Sequence, residues 1–99
     1  MTLNTNKEGR NLTVLLSGEL NTLTAPELSA LLDNELKDVD DLTLDFTECD
    51  YVSSAGIRVL LATFKQMKAA KGAMYLANVG ENFMDVLKNT GLDAVFDMK

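Results

Sequence analysis

Two runs with strand-like alternation, Leu42 to Thr47 and Met74 to Val79, stand on either side of a long helical pattern from Ser54 to Lys71. That order argues for a strand-helix-strand crossover between parallel strands, with the expected right-handed turn. In the first run Leu42, Leu44 and Phe46 alternate with polar neighbours, as in a strand with one buried face, and Thr43 and Asp45 point the other way. In the helical run Ile57, Leu60, Leu61, Phe64, Met67 and Lys68 follow helical spacing. Ser53 and Ser54 offer capping hydroxyls before it, and Gly72 supplies a stop after it.

The same logic extends outward in both directions. Leu3 and Thr5, the turn signal Lys7-Glu8-Gly9-Arg10-Asn11 and the apolar stretch Leu12 to Leu20 predict an opening hairpin. Thr24 offers a capping hydroxyl ahead of Ala25, Pro26 and Glu27, and the helix that starts there carries Leu28, Leu31, Leu32 and Leu36 on one stripe. Towards the other end, Glu81 to Thr90 predicts a helix with Phe83, Val86 and Leu87 inward and a Gly91 stop, followed by a last short strand at Ala94-Val95-Phe96. The expected fold is α/β, a mixed and mostly parallel sheet with an antiparallel N-terminal edge strand and helices packed on it. A chain of 99 residues supports one core, so residues 1–99 are expected to form a single domain.

Several function classes are disfavoured by what the chain carries. Fifteen Asp and Glu against nine Lys and Arg give a charge of -6, a field that repels nucleic acid and anionic membrane surfaces. There is no histidine and a single cysteine, Cys49, so neither a zinc site nor a Cys-His nucleophile is expected. Walker, Cys-x-x-Cys and Gly-x-Ser-x-Gly motifs are missing, and an enzyme is not the expected reading. The carboxylate pairs Asp40-Asp41 and Asp45 with Glu48 read as solvated connections, and Met67, Met74, Met84 and Met98 as core fillers. The opening residues lack a basic stretch followed by an apolar run, and no run of about 20 apolar residues occurs, so the expected location is cytoplasmic with no membrane insertion.

The segment from Leu42 to Leu61 combines a strand, a short loop and a helix that opens on Ser53, Ser54, Ala55 and Gly56. Here the chain resembles the STAS family of bacterial anti-sigma-factor antagonists, which carry an Asp-Ser-Ser/Thr-Gly-Leu/Ile signature at a helix start. The serine that is phosphorylated in the family matches Ser54. Ser17-Gly18-Glu19-Leu20-Asn21 resembles the family's Gly-Glu-Leu-Asp turn, and Asn78-Val79 with Thr90-Gly91-Leu92 resembles its C-terminal third, so the likeness runs through nearly the whole chain. Three positions depart from the pattern: Ser53 stands where the family has an acid, Asn21 where its first turn has another, and Ala55 where it has a second hydroxyl.

The resemblance implies an unmodified domain that binds an anti-sigma factor of the GHKL serine kinase type and frees its sigma factor. The kinase would phosphorylate Ser54 and release the domain, and a PPM-type serine phosphatase would reset it. Nucleotide and metal would belong to those partners, so no cofactor is expected in this chain. Asn21, Thr22, Tyr51, Ser53, Ala55, Gly56 and Arg58 would surround Ser54 at the contact surface. On residue type alone two plainer readings stay open: Ser54 as a cap for its own helix, and Arg58 as a solvated helix charge. A different class implied by the same resemblance is an unphosphorylated adaptor that docks on the ATPase of a membrane transport complex. A small-ligand sensor would need an apolar pocket with convergent polar groups, of which the sequence shows no sign.

Overall fold

The structure is a computed structural model and describes residues 1–99. Two strands, β1 (Thr2–Glu8) and β2 (Asn11–Ser17), are followed by helix α1 (Ala25–Glu35), strand β3 (Asp41–Glu48), helix α2 (Ser54–Ala69), strand β4 (Ala73–Ala77), helix α3 (Glu81–Thr90) and strand β5 (Asp97–Met98). Single 3-10 turns, Leu36–Asp38 and Leu92–Ala94, follow α1 and α3. The five strands lie in sequence order, and only β1 is antiparallel to its neighbour. Each crossover steps to the next strand in the same direction, so right-handed connections put all three helices on one face of the sheet. None of the helices is long and apolar enough to cross a membrane.

Alternation along each strand follows from that one-sided cover. Leu12, Val14 and Leu16 of β2, Leu42, Leu44 and Phe46 of β3, and Met74 and Leu76 of β4 are buried. They share the core with Leu28 and Leu32 of α1, Leu60 and Met67 of α2, and Phe83 and Leu87 of α3. The Phe46 and Phe83 rings meet with centroids 5.1 Å apart and planes tilted by 51°. On the open face, Lys99 Nζ donates to Thr43 Oγ1 at 3.0 Å and lies 4.7 Å from the centre of the Tyr75 ring. In the hairpin Gly9 takes φ 63°, the left-handed backbone that a two-residue loop between strands requires.

Four local expectations are corrected. Thr24 precedes α1 but does not cap it, because its hydroxyl donates to the Glu19 carbonyl and accepts from the Asn21 amide instead. Helix α2 stops at Ala69, since Lys71 turns left-handed (φ 61°) and the Gly72 amide closes on the Met67 carbonyl at 2.7 Å. Val86 lies on the flank of the α3 stripe and is 37% exposed, while Phe83 and Leu87 are buried. The last strand is Asp97–Met98 rather than Ala94-Val95-Phe96, because the amides of Val95 and Phe96 are held by the Leu92 carbonyl and cannot join the ladder. Phe96 still reaches the core, edge-on to Phe64 at 5.6 Å.

The start of α2 sits very close to the connection leaving β2. A Cβ on Gly56 would lie 2.7 Å from Leu20 Cγ, 2.9 Å from Leu20 Cδ2 and 3.0 Å from Val52 Cγ1. Leu20 has no exposed surface and cannot move aside, so the glycine sets how closely helix and loop approach. At the far end of β3, Asp45 Oδ1 accepts from the Thr47 hydroxyl (2.6 Å), the Thr47 amide (2.9 Å) and Asn78 Nδ2 (3.0 Å), which ties β3 to the turn after β4.

Gly56→Ala gains helix propensity worth about 1 kcal/mol, but overpacking costs about 1–3 kcal/mol. The expected net result is a lower midpoint in urea unfolding at unchanged slope. The Thr47 hydroxyl first, with Asn78 and the Thr47 amide, holds the Asp45 carboxyl below its ordinary value against a smaller opposing effect of burial. A folded-state value below the unfolded one means that this stabilisation is complete above about pH 4 and is lost as pH falls through the folded value. Asp45→Asn should therefore flatten the acid limb of a stability-against-pH curve below about pH 4. An unchanged limb would remove Asp45 from that role.

Candidate functional site

The parallel strands β2, β3 and β4 end at the same edge of the sheet, where open α/β sheets commonly bind their ligands and partners. Three connections converge there, and backbone hydrogen bonds fuse the first two. The Leu20 amide donates to the Tyr51 carbonyl at 2.9 Å, the Ser53 amide donates to the Leu20 carbonyl at 2.8 Å, and Leu20 pairs with Val52 as an isolated parallel bridge. One register below, the Gly18 amide donates to the Glu48 carbonyl at 3.0 Å. The third connection is tied in by Asn82 Nδ2, which donates to Asp50 Oδ2 at 2.8 Å. A Cβ on Gly80 would stand only 3.1 Å from Asp50 Oδ1.

Ser53, not Ser54, caps α2. Its backbone is extended (φ -85°, ψ 173°), and its Oγ accepts the Gly56 amide at a long 3.4 Å. Ser54 is thereby the first helical residue, exposed, with its hydroxyl committed to no hydrogen bond in the chain. The amides of Ser54 and Ala55 at the opening turn also have no partner within the chain. An exposed hydroxyl thus stands where orphan N–H groups and the positive end of a sixteen-residue helix converge. Such a position is electrostatically suited to negative charge.

Asn21 organises the other side of the site. Its Oδ1 accepts the Leu23 amide at 2.9 Å and the Thr24 amide at 3.1 Å, and the Asn21 carbonyl receives the Ala25 amide at 2.8 Å. Thr22 is exposed beside it, and Tyr51 projects from the neighbouring connection with about half its surface in water, 53%. Arg58 is exposed one turn along α2 from Ser54 and belongs to neither of the chain's ion pairs, which are Arg10 with Asp40 and Lys68 with Asp97. It also lines a shallow groove of about 210 Å³ between α1 and α2 with Asp33, Gln66 and Ser29. Gly56 lies beneath this surface, buried against Leu20 and Val52, and its contribution is the close approach.

Cys49 faces inward. The residue is buried, its thiol donates to the Tyr51 carbonyl at 3.6 Å, and burial is the main effect that pushes its pKa up. It remains a neutral thiol at pH 7, a packing group rather than a nucleophile. No three His, Cys, Asp or Glu side chains are grouped so as to hold a metal ion.

The structure therefore brings Asn21, Thr22, Tyr51, Ser53, Ser54, Ala55 and Arg58 to one end of the sheet, with Gly56 as their floor. One residue that the sequence pattern does not single out joins them. Leu23 is 85% exposed, the most exposed large apolar side chain in the protein. Its only sequence signal is negative, since it falls between the strand alternation that ends at Leu20 and the helical stripe that begins at Leu28.

Comparison with known proteins places this geometry. The chain matches the STAS domain over residues 2–99. It is 29% identical over 85 residues to the anti-sigma-B factor antagonist of Bacillus subtilis, covering 86% of this chain and 78% of that protein. It is 31% identical over 97 residues to BtrV of Bordetella bronchiseptica, provisionally assigned as an anti-sigma factor antagonist, covering 97% of this chain and 84% of that protein. Its fold superposes on the phosphorylated form of the Bacillus cell fate determinant SpoIIAA with a TM-score of 0.78 at 17% identity, over 99% of this chain and 91% of that one. With one mixed sheet, three helices on one face and relatives that are regulatory proteins, the chain belongs to the STAS-domain family of anti-sigma factor antagonists.

Proposed function

We propose that this domain binds an anti-sigma factor serine kinase of the GHKL type through the Ser54 end of the sheet, and that phosphorylation of Ser54 ends the complex. The observation that carries this reading is the division of labour at the start of α2: Ser53 does the capping, and Ser54 is left exposed with a free hydroxyl. Modification of Ser54 leaves the Ser53 cap undisturbed, and roughly -1.5 to -2 of charge would arrive beside unpaired amides and the positive helix end. Family membership supports the anti-sigma partner, and SpoIIAA, which shares the fold, exists in a phosphorylated form.

The physical effect on the partner is the reverse of that on the domain. A surface packed against an exposed hydroxyl must, after transfer, either desolvate a dianion or withdraw from it. Every 1.4 kcal/mol of that cost is about a tenfold loss of affinity, so a few kcal/mol empties the complex. The kinase supplies the nucleotide and its metal, a PPM-type serine phosphatase resets Ser54, and the domain works in the cytoplasm without a cofactor of its own. Asn21, Thr22, Tyr51, Ser53, Ala55 and Arg58 form the surface around the switch.

Ser54→Asp should fold with an unchanged thermal midpoint yet bind the anti-sigma partner at least tenfold more weakly, since the added charge falls in the contact. Ser54→Ala should bind as the unmodified protein does and resist release by ATP. Titration calorimetry with and without ATP reads both, and phosphosite mapping on protein from its native cells should find phosphate on Ser54. Equal and ATP-insensitive binding by the two variants, with no phosphate on Ser54 in any growth condition, would instead favour an adaptor that docks on a transport ATPase.

A further inference from the structure

We propose that Leu23, with Tyr51 on the connection fused to its own, is the apolar anchor that docks this domain into its anti-sigma factor, in a slot bordered by basic side chains. The inference rests on the functional reading above and adds the residue that supplies affinity, as distinct from the residue that switches it.

Four large apolar side chains are exposed, and the two with most surface in water, Leu23 at 85% and Tyr51 at 53%, both stand on the two connections fused at the Ser54 end. The others, Val86 at 37% and Val95 at 40%, lie on and just after α3. Leu23 is not exposed through looseness. The Leu23 and Thr24 amides are both held by Asn21 Oδ1, and the Thr24 hydroxyl bridges the Asn21 amide at 2.8 Å and the Glu19 carbonyl at 2.7 Å. That polar knot fixes the backbone of the turn while leaving the leucine outside the core. A turn whose backbone is already fixed loses little freedom on binding, and that favours converting the leucine's burial into affinity. Tyrosine adds a large side chain with few rotors and a polar tip.

Charge identifies the occupant. Glu19 and Asp50 are exposed on the same connections, Glu48 is exposed at the end of β3 beside them, and Arg58 is the nearby cation. A second copy of this chain docked by the same patch would bring those carboxylates against themselves on molecules of charge -6. A partner with an apolar slot and a Lys- or Arg-bearing border meets both features at once, and opposite potentials also speed the encounter.

The test uses the full chain and each purified anti-sigma factor of the source organism, without ATP, by calorimetry and by stopped-flow mixing. Leu23→Ser should raise Kd roughly tenfold or more, from the lost burial of one leucine side chain. Leu23→Met should retain most of the affinity, and Val86→Ser should change it by less than about twofold, as expected of an apolar residue outside the contact. Circular dichroism melting should be the same for Leu23→Ser and the parent protein, and the association rate should fall as salt rises. Unchanged affinity in Leu23→Ser, where the parent protein binds, overturns the anchor and leaves the phosphoswitch standing. Failure of the parent protein to bind any anti-sigma factor overturns both. A parent dimer that Leu23→Ser dissolves in sedimentation would assign the patch to self-association and overturn the partner named here.

Discussion

The site end of this protein depends on the burial of Leu20. Its side chain has no exposed surface and fills the space that Gly56 leaves, and its amide and carbonyl both bond to the connection leading into α2. A single residue, three beyond the end of β2, therefore sets the position of a helix start more than thirty residues later in the chain. An isolated helix terminus frays, because its first amides have no partners and little holds the opening turn. Here the residue before Ser54 is fastened to strand-derived backbone by a 2.8 Å hydrogen bond, so the exposed hydroxyl is presented by a rigid frame.

Rigidity of this kind suits a switch that acts on binding rather than on shape. The domain is already acidic, and added phosphate would raise its self-repulsion if it arrived at a surface with carboxylates in close contact. At the opening turn of α2 it would meet unpaired amides, the positive helix end and Arg58 one turn away, which offset the exposed Glu19, Glu48 and Asp50 at that end of the sheet. On the proposed reading, the free domain would keep one conformation with or without phosphate, and the difference would fall on whatever is packed against Ser54. An off signal made in this way needs no conformational relay and no bistable core.

Much of this was legible in the sequence. The crossover around Ser54 to Lys71, the one-sided burial of Leu42, Leu44 and Phe46, the antiparallel opening strand and the family all follow from residue patterns, and the structure agrees with them. What could not be read depended on which of several eligible groups wins a local competition. Ser53 and Ser54 are equal candidates for a cap until the backbone angles are known, and only ψ 173° at Ser53 decides between them. Thr24 looks like a cap by composition, but the Glu19 carbonyl lies nearer its hydroxyl's reach than the α1 amides do. Phe96 looks like a strand residue, but it follows a left-handed Gly91 and a 3-10 turn that take its amide out of the ladder. Leu23 is the sharpest case, since a leucine carries no mark in sequence to say that a hydrogen-bonded turn will hold it in water.

The same local view explains the two positions where this chain lacks an acid that its relatives' pattern has. Ser53 and Asn21 both work here as acceptors of backbone amides, one for Gly56 and the other for Leu23 and Thr24. Asp, Asn and Ser are nearly interchangeable in that task, because each places a side-chain oxygen within reach of an amide two or three residues on. Replacing a carboxylate by an amide or a hydroxyl thus keeps the backbone geometry of the site and removes charge from the surroundings of Ser54. With fewer fixed anions beside it, a phosphate on Ser54 is opposed less within the domain itself. The departures thus preserve the backbone frame around Ser54 while altering the field in which the proposed switch would operate.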